Sequence, residues 1–148
     1  MREIKFRGQT TKKEWVYGSL YIGELDGQEY AVILNNKTTS VANDLPDRID
    51  LAFDRGDVHV VYPATVGQYT GLKDKNGKEI YEGDIVNDVV TINGSVYSQD
   101  YVIEHSEPHC GFVGIAVQRL LTPSCFDDVK VIGNIHDNPE LLNNGCNE

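Results

Sequence analysis

A chain of 148 residues has room for one domain or two small modules, with an apolar interior that needs no disulfide staples. Its composition, 40% hydrophobic and 24% charged, is that of a soluble globular protein, and its formal net charge is −10. Such acidity repels phosphate backbones and disfavours nucleic-acid binding through a general basic surface. No apolar run approaches the roughly 18–20 residues of a membrane span, and the polar opening MREIKFRGQTTKKEW is not read as a signal peptide. The odd set Cys110, Cys125 and Cys146 predicts a reducing cytoplasm rather than a disulfide framework.

REIKF alternates, with Ile4 and Phe6 on one face, and reads as a half-buried or edge strand. WVYGSLYIG and QEYAVILNN follow as two strands joined at Asp26-Gly27, a hairpin signal, so that a three-stranded meander runs to about Leu34. From Asp44 the apolar Leu45, Ile49, Ala52 and Phe53 gather on one face at helical spacing, opposite Asp47, Asp50 and Asp54. Asp44 as N-cap, Pro46 in the first turn and Gly56 as stop predict a short helix over about 45–55.

Val58 to Val66 is a β run broken at Pro63. Lys75-Asn76-Gly77-Lys78 predicts a type I′ turn, and Glu82-Gly83-Asp84 a second tight turn leading into Ile85-Val86. TING at 91–94 ends that strand. SVYSQDYVIEH, GFVGIAVQRLL and DDVKVIGNI read as three more strands, with a bulge at the glycines of GFVG. Asp137-Asn138-Pro139-Glu140 reads as cap and first turn of a short C-terminal helix.

The stretch GQYTGLKDKNGKEIYEGDIV (67–86) resembles the YopX family of phage and prophage proteins. MREIKFRG at the start and VIGNIHDNPELL (131–142) resemble the matching ends of the same family. The resemblance implies a mostly β protein of phage origin, and it brings no catalytic residue to carry over. Read physically, Gly71, Gly77 and Gly83 are turn residues, Asn76 completes a hairpin, and Leu72, Ile80 and Ile85 are core. The expected fold is mainly β: a small SH3-like barrel or meander sheets, with the two short helices. An N-terminal meander with its helix over 1–60 and a barrel module over 61–148 are expected, or one continuous domain.

His105, His109 and Cys110 lie close together, but no Cys-x-x-Cys pair accompanies them, and Pro108 argues against a shared helical face. Asp74-Lys75-Asn76-Gly77 begins like a calcium loop, then places Lys78 and Glu79 where oxygen and glycine are needed. No metal and no cofactor are predicted. A Gly-x-Ser-x-Gly elbow, a P-loop and a Rossmann fingerprint are all missing, and Glu82 with Asp84 reads as turn chemistry rather than acid–base catalysis. The aromatic stripe Trp15, Tyr17 and Tyr21 is read first as core and second as a base-stacking platform.

The first 13 residues carry five basic side chains against one acidic, and the remainder eight against 22. A basic strand can sit on its own acidic body or on that of another copy. These features predict a non-enzymatic phage accessory protein in the cytoplasm of a bacterial host. It binds a host or phage protein and forms a homo-oligomer, with Asp47, Asp50, Asp54, Trp15 and Tyr69 as candidate partner-binding residues. The alternative is a nucleic-acid-binding small barrel that uses the basic N-terminal strand and the aromatic stripe. No membrane partner is expected.

Overall fold

The computed structural model describes residues 3–35 and 58–143. The predicted helix over 45–55, with Asp47, Asp50 and Asp54, and the third cysteine, Cys146, lie outside the described residues. The chain divides into an N-terminal unit, Met1–Gln68, and a C-terminal unit, Tyr69–Glu148.

In the N-terminal unit β1 (Phe6–Gln9), β2 (Trp15–Leu25), β3 (Gln28–Leu34) and β4 (Val58–Val61) form an antiparallel meander in the order β4-β3-β2-β1. Gly67 and Gln68, which begin β5 (Gly67–Lys73), pair with β1. The β2–β3 hairpin follows from its turn. Asp26 (φ 52°) and Gly27 (φ 78°) both take positive φ, as a two-residue type I′ loop requires, and Leu25 stands opposite Gln28. Ala31, Ile33 and Val61 are buried on one face of the meander, with Phe6, Val16, Leu20 and Val66 packed against them. Gly8 permits the close approach, because a Cβ there would stand 2.7 Å from the Val61 side chain.

Pro63 ends β4 as expected and opens a 3-10 turn, Pro63–Thr65. The Thr65 hydroxyl accepts the Gln9 N–H at 2.9 Å and donates to the Tyr62 carbonyl at 2.6 Å, while the Tyr62 N–H donates to Gln9. These bonds tie residues 61–68 to the first sheet.

The C-terminal unit pairs the rest of β5 with β6 (Glu79–Tyr81). It also holds an antiparallel sheet in the order β10-β9-β8-β7-β11, made of β7 (Asp84–Ile92), β8 (Ser95–Ser106), β9 (Gly111–Ala116), β10 (Arg119–Leu121) and β11 (Lys130–Asn134). A one-turn helix, α1 (Glu140–Asn143), stands where the Asn138-Pro139 signal placed it. The core gathers Ile80, Val86, Tyr101, Ile103, Phe112, Leu121, Phe126, Val129 and Val131.

The mainly β class is as expected, but the described strands form open sheets and not a closed barrel. Among the described residues the outermost strands of the five-stranded sheet, β10 and β11, do not pair with each other, and that pair is what a ring needs.

Other expectations are corrected locally. The first strand begins at Phe6, with Glu3 to Lys5 outside it, and Arg2 lies outside the described residues. GFVGIAVQRLL is two strands joined at Val117-Gln118, and β9 runs beside β8 without a bulge at its glycines. The irregularities fall instead between Val131 and Gly133 and between Tyr69 and Lys73. Leu72 is exposed, whereas Ile80 and Ile85 are fully buried.

Candidate functional site

The family-like stretch serves the fold. Gly77 (φ 81°) and Gly83 (φ 89°) stand in tight turns, whereas Gly71 (φ 85°), expected in a turn, lies inside β5 at its irregularity between Tyr69 and Lys73; all three use the freedom that only glycine has at low cost. Asn76 is not at positive φ, and the predicted type I′ turn is replaced by a three-residue loop. The Gly77 N–H donates to the Asp74 carbonyl at 3.0 Å, and the Asp74 N–H to the Lys78 carbonyl at 2.8 Å. This is a type I turn closed by a left-handed glycine.

The Asp74 side chain selects that turn. One carboxylate oxygen accepts the N–H groups of Asn76 (2.8 Å) and Lys78 (2.9 Å), and the other accepts the Val131 N–H (2.9 Å). Burial pushes the Asp74 carboxyl up, but these three bonds and the nearby Lys78 ammonium outweigh it and hold the pKa below its ordinary value. Asp84 is also buried and accepts the Tyr81 N–H at 2.8 Å. Gly83 donates to Ile103 and accepts from Ile135. Tyr69, a candidate partner-binding residue, is 5% exposed and packs its ring 5.4 Å from that of Tyr81.

The histidines and cysteines do not converge. His105 stands edge-on to Phe112 with ring centroids 5.4 Å apart, His109 Nδ1 lies 2.8 Å from the Ser106 hydroxyl, and Cys110 is exposed in the β8–β9 turn. Among the described residues no three His, Cys, Asp or Glu side chains are placed to hold a metal ion, and no helix is long and apolar enough to cross a membrane.

The aromatic stripe is where a surface forms. Register places Trp15, Tyr17 and Tyr21 on the face of the N-terminal meander opposite the Ala31–Ile33–Val61 cluster, the face on which Val32 and Val58 are buried with Tyr30 and Leu34 packed against them; Trp15 is half-buried there, and the core reading is corrected for Tyr17 and Tyr21. Val16 and Leu20, the alternate residues of β2, fill the interior instead. Tyr17 is 48% and Tyr21 54% exposed.

Two residues that sequence reasoning did not single out complete the face. The Arg7 guanidinium lies 4.7 Å over the Trp15 ring, a cation–π contact. Tyr30 sets its ring 6.2 Å from that of Tyr21, and the hydrogen bond between their hydroxyls raises the Tyr30 phenol above its ordinary value. Gly23 makes room for it, since a Cβ there would collide with the Tyr30 ring. Strand alternation would have placed Tyr30 beside Tyr21 once the Asp26-Gly27 register was known. The Arg7–Trp15 stack has no such signal, because its residues belong to strands joined by a loop of undefined length. The described strand residues of this face, from Arg7 and Gln9 through Val58 and Val60, include no carboxylate.

In the C-terminal unit, Asp88, Val90, Ile92, Tyr97, Gln99 and Arg119 line a shallow cleft of about 220 Å³ on the β7–β8 hairpin. Val89, Val90, Ile92, Val96 and Tyr97 are all exposed there.

The family model described as YopX protein matches residues 5–143. The crystal structure of protein EF1440 from Enterococcus faecalis is similar, with a TM-score of 0.52 and 24% identity, over 96% of this chain and 99% of that one. That likeness concerns the fold. No curated protein matches the chain.

Proposed function

The chain belongs to the YopX family, and from that starting point we propose that it is a phage or prophage accessory protein acting by binding, not catalysis. In this reading it is a protein-interaction module of the bacterial cytoplasm that engages a host or phage protein and self-associates. The carrying observation is the aromatic face of the N-terminal meander. Trp and Tyr are among the side chains that dominate protein–protein hot spots, and here Trp15, Tyr17, Tyr21 and Tyr30 share one face, with the buried Arg7 set against Trp15. Two half-exposed tyrosines on a strand whose alternate Val16 and Leu20 are partly buried leave an apolar area for a partner.

Pull-down from nuclease-treated bacterial lysate, followed by titration of the recovered protein, tests this reading. The wild-type chain is expected to retain one protein in near-equal amount, and Tyr21→Ala to weaken that binding by about 30-fold. Equal affinity of wild type and variant would remove the aromatic face from the interaction.

A second reading has its own support on the same face. Exposed tyrosine rings, with no carboxylate among the described strand residues of this face, suit stacking of single-stranded bases. It predicts retention on single-stranded DNA that falls steeply from low salt to several hundred millimolar, and salt-independent retention would count against it.

A further inference from the structure

The β7–β8 hairpin outruns its neighbours. Asn93 (φ 52°) and Gly94 (φ 79°) form a two-residue type I′ loop that sets Ile92 opposite Ser95. Among the described residues, no strand pairs with β7 beyond Asn87 on its outer side, and β9 reaches β8 only at Val102. Residues 88–99 are therefore a two-stranded ribbon, an arrangement marginal in water on its own.

Every residue from 89 to 98 is exposed, and none from 89 to 99 is charged, in a chain where 24% of residues are charged. The lysines, prolines and inward-facing charges that usually protect an open strand are missing from residues 89–99.

Turn geometry determines what the edge offers. In a two-residue hairpin the pair flanking the loop is hydrogen-bonded both ways, so Ile92, Val90 and Asp88 turn their peptide groups toward β8. Val89 and Thr91 turn theirs outward.

We propose, resting on the self-association reading above, that the outer edge of β7 over Asp88–Ile92 pairs antiparallel with the same edge of a second copy. The two-fold axis passes at Val90. Val89 of each copy then exchanges both backbone hydrogen bonds with Thr91 of the other, Val90 faces Val90, and Asp88 stands opposite Ile92. The overlap is limited on one side by the Asn93-Gly94 turn and on the other by the Asn87–Lys130 pair, so the five residues available are the five that match. No like charges oppose each other in this register. Two bodies of formal charge −10 meet along a strip whose only charges are the two Asp88 carboxylates, one at each end and each opposite an isoleucine. The two ribbons become a four-stranded sheet with the exposed valines and isoleucines side by side.

Light scattering on the full chain tests the register. The wild type is expected at twice 16.5 kDa. Val90→Lys and Val90→Glu each place like charges face to face across the axis, and each is expected at the mass of one chain. Mixed in equal amounts, the two variants are expected to return to the mass of the dimer. Thr91→Pro removes an outward donor without touching a bond to β8, and gives a second route to the monomer. A cooperative thermal melt and a far-ultraviolet circular dichroism spectrum matching the wild type confirm that the variants are folded. A wild type of single-chain mass at all concentrations overturns both the self-association reading and this edge. A wild-type dimer that survives all three substitutions overturns the edge alone. Variants that stay monomeric when mixed overturn the axis at Val90.

Discussion

Replacing Asp74 by Ala is expected to lower the unfolding free energy of the C-terminal unit by about 4 kcal/mol, measured by urea denaturation at pH 7. The carboxylate is 5% exposed and accepts three backbone N–H groups. Hydrogen bonds to a charged acceptor contribute about 1.5–3 kcal/mol each, and a buried N–H left without an acceptor costs about 1–3 kcal/mol. The bonds to Asn76 and Lys78 lie in an open turn where water can replace them. The bond to Val131 is buried, and it dominates the loss. Asp74→Asn keeps one acceptor oxygen and should fall between wild type and Ala.

The same site carries a pH signature. Its folded pKa lies below the ordinary carboxyl value, so the folded state binds fewer protons than the unfolded one. The contribution is therefore complete above the unfolded pKa, near 3.8, and is lost as pH falls through the folded value. The stability gap between wild type and Asp74→Ala should be constant from pH 7 to pH 5 and narrow below about pH 4. A gap that is unchanged at pH 3 would show that the carboxylate charge does not hold this turn.

Phe126→Ala is expected to cost about 3–5 kcal/mol, the range for removing a large ring from a filled interior. Phe126 is fully buried and packs with Ile80, Val86, Tyr101 and Ile103, yet it stands on no strand. It hangs from the 3-10 turn Pro123–Asp128, with the Cys125 N–H donating to Thr122 and the Val129 N–H to Phe126. Urea denaturation of this variant should show a lower midpoint with an unchanged slope, since the surface exposed on unfolding stays the same. A loss under 1 kcal/mol would mean that the turn collapses inward to fill the space.

Phe126 also marks where the sequence stopped being informative. Strands with strong alternation and glycine-bearing turns were legible: Asp26-Gly27, Gly77 and Gly83 all lie where backbone rules required positive φ. A short 3-10 segment has no period long enough to reveal which side chain points inward. At 75–78 the Asn-Gly pair alone favoured a type I′ turn, and the preceding residue overrode it, because the Asp74 carboxylate captures the Asn76 and Lys78 N–H groups. The aromatic stripe was visible, but which face of β2 is core depended on Ala31, Ile33 and Val61, and their registers come from pairing rather than from β2 itself. The barrel expectation failed for a related reason: strand count does not report whether the outermost strands pair with each other.

The Asp74–Val131 bond spans 57 positions in the chain, whereas the β7–β8 hairpin closes over two. Contacts so different in span form on different timescales. A hairpin of this kind closes in roughly 1–10 μs, and closure of a long loop waits on rarer encounters. The 73–79 hairpin therefore takes shape before β11 arrives, and the Val131 bond is among the last made and the first broken. Loss of Asp74 should accordingly appear in the rate of unfolding, with the rate of folding almost unchanged. One carboxylate then sets how long the C-terminal unit stays folded, and hardly affects how fast it gets there.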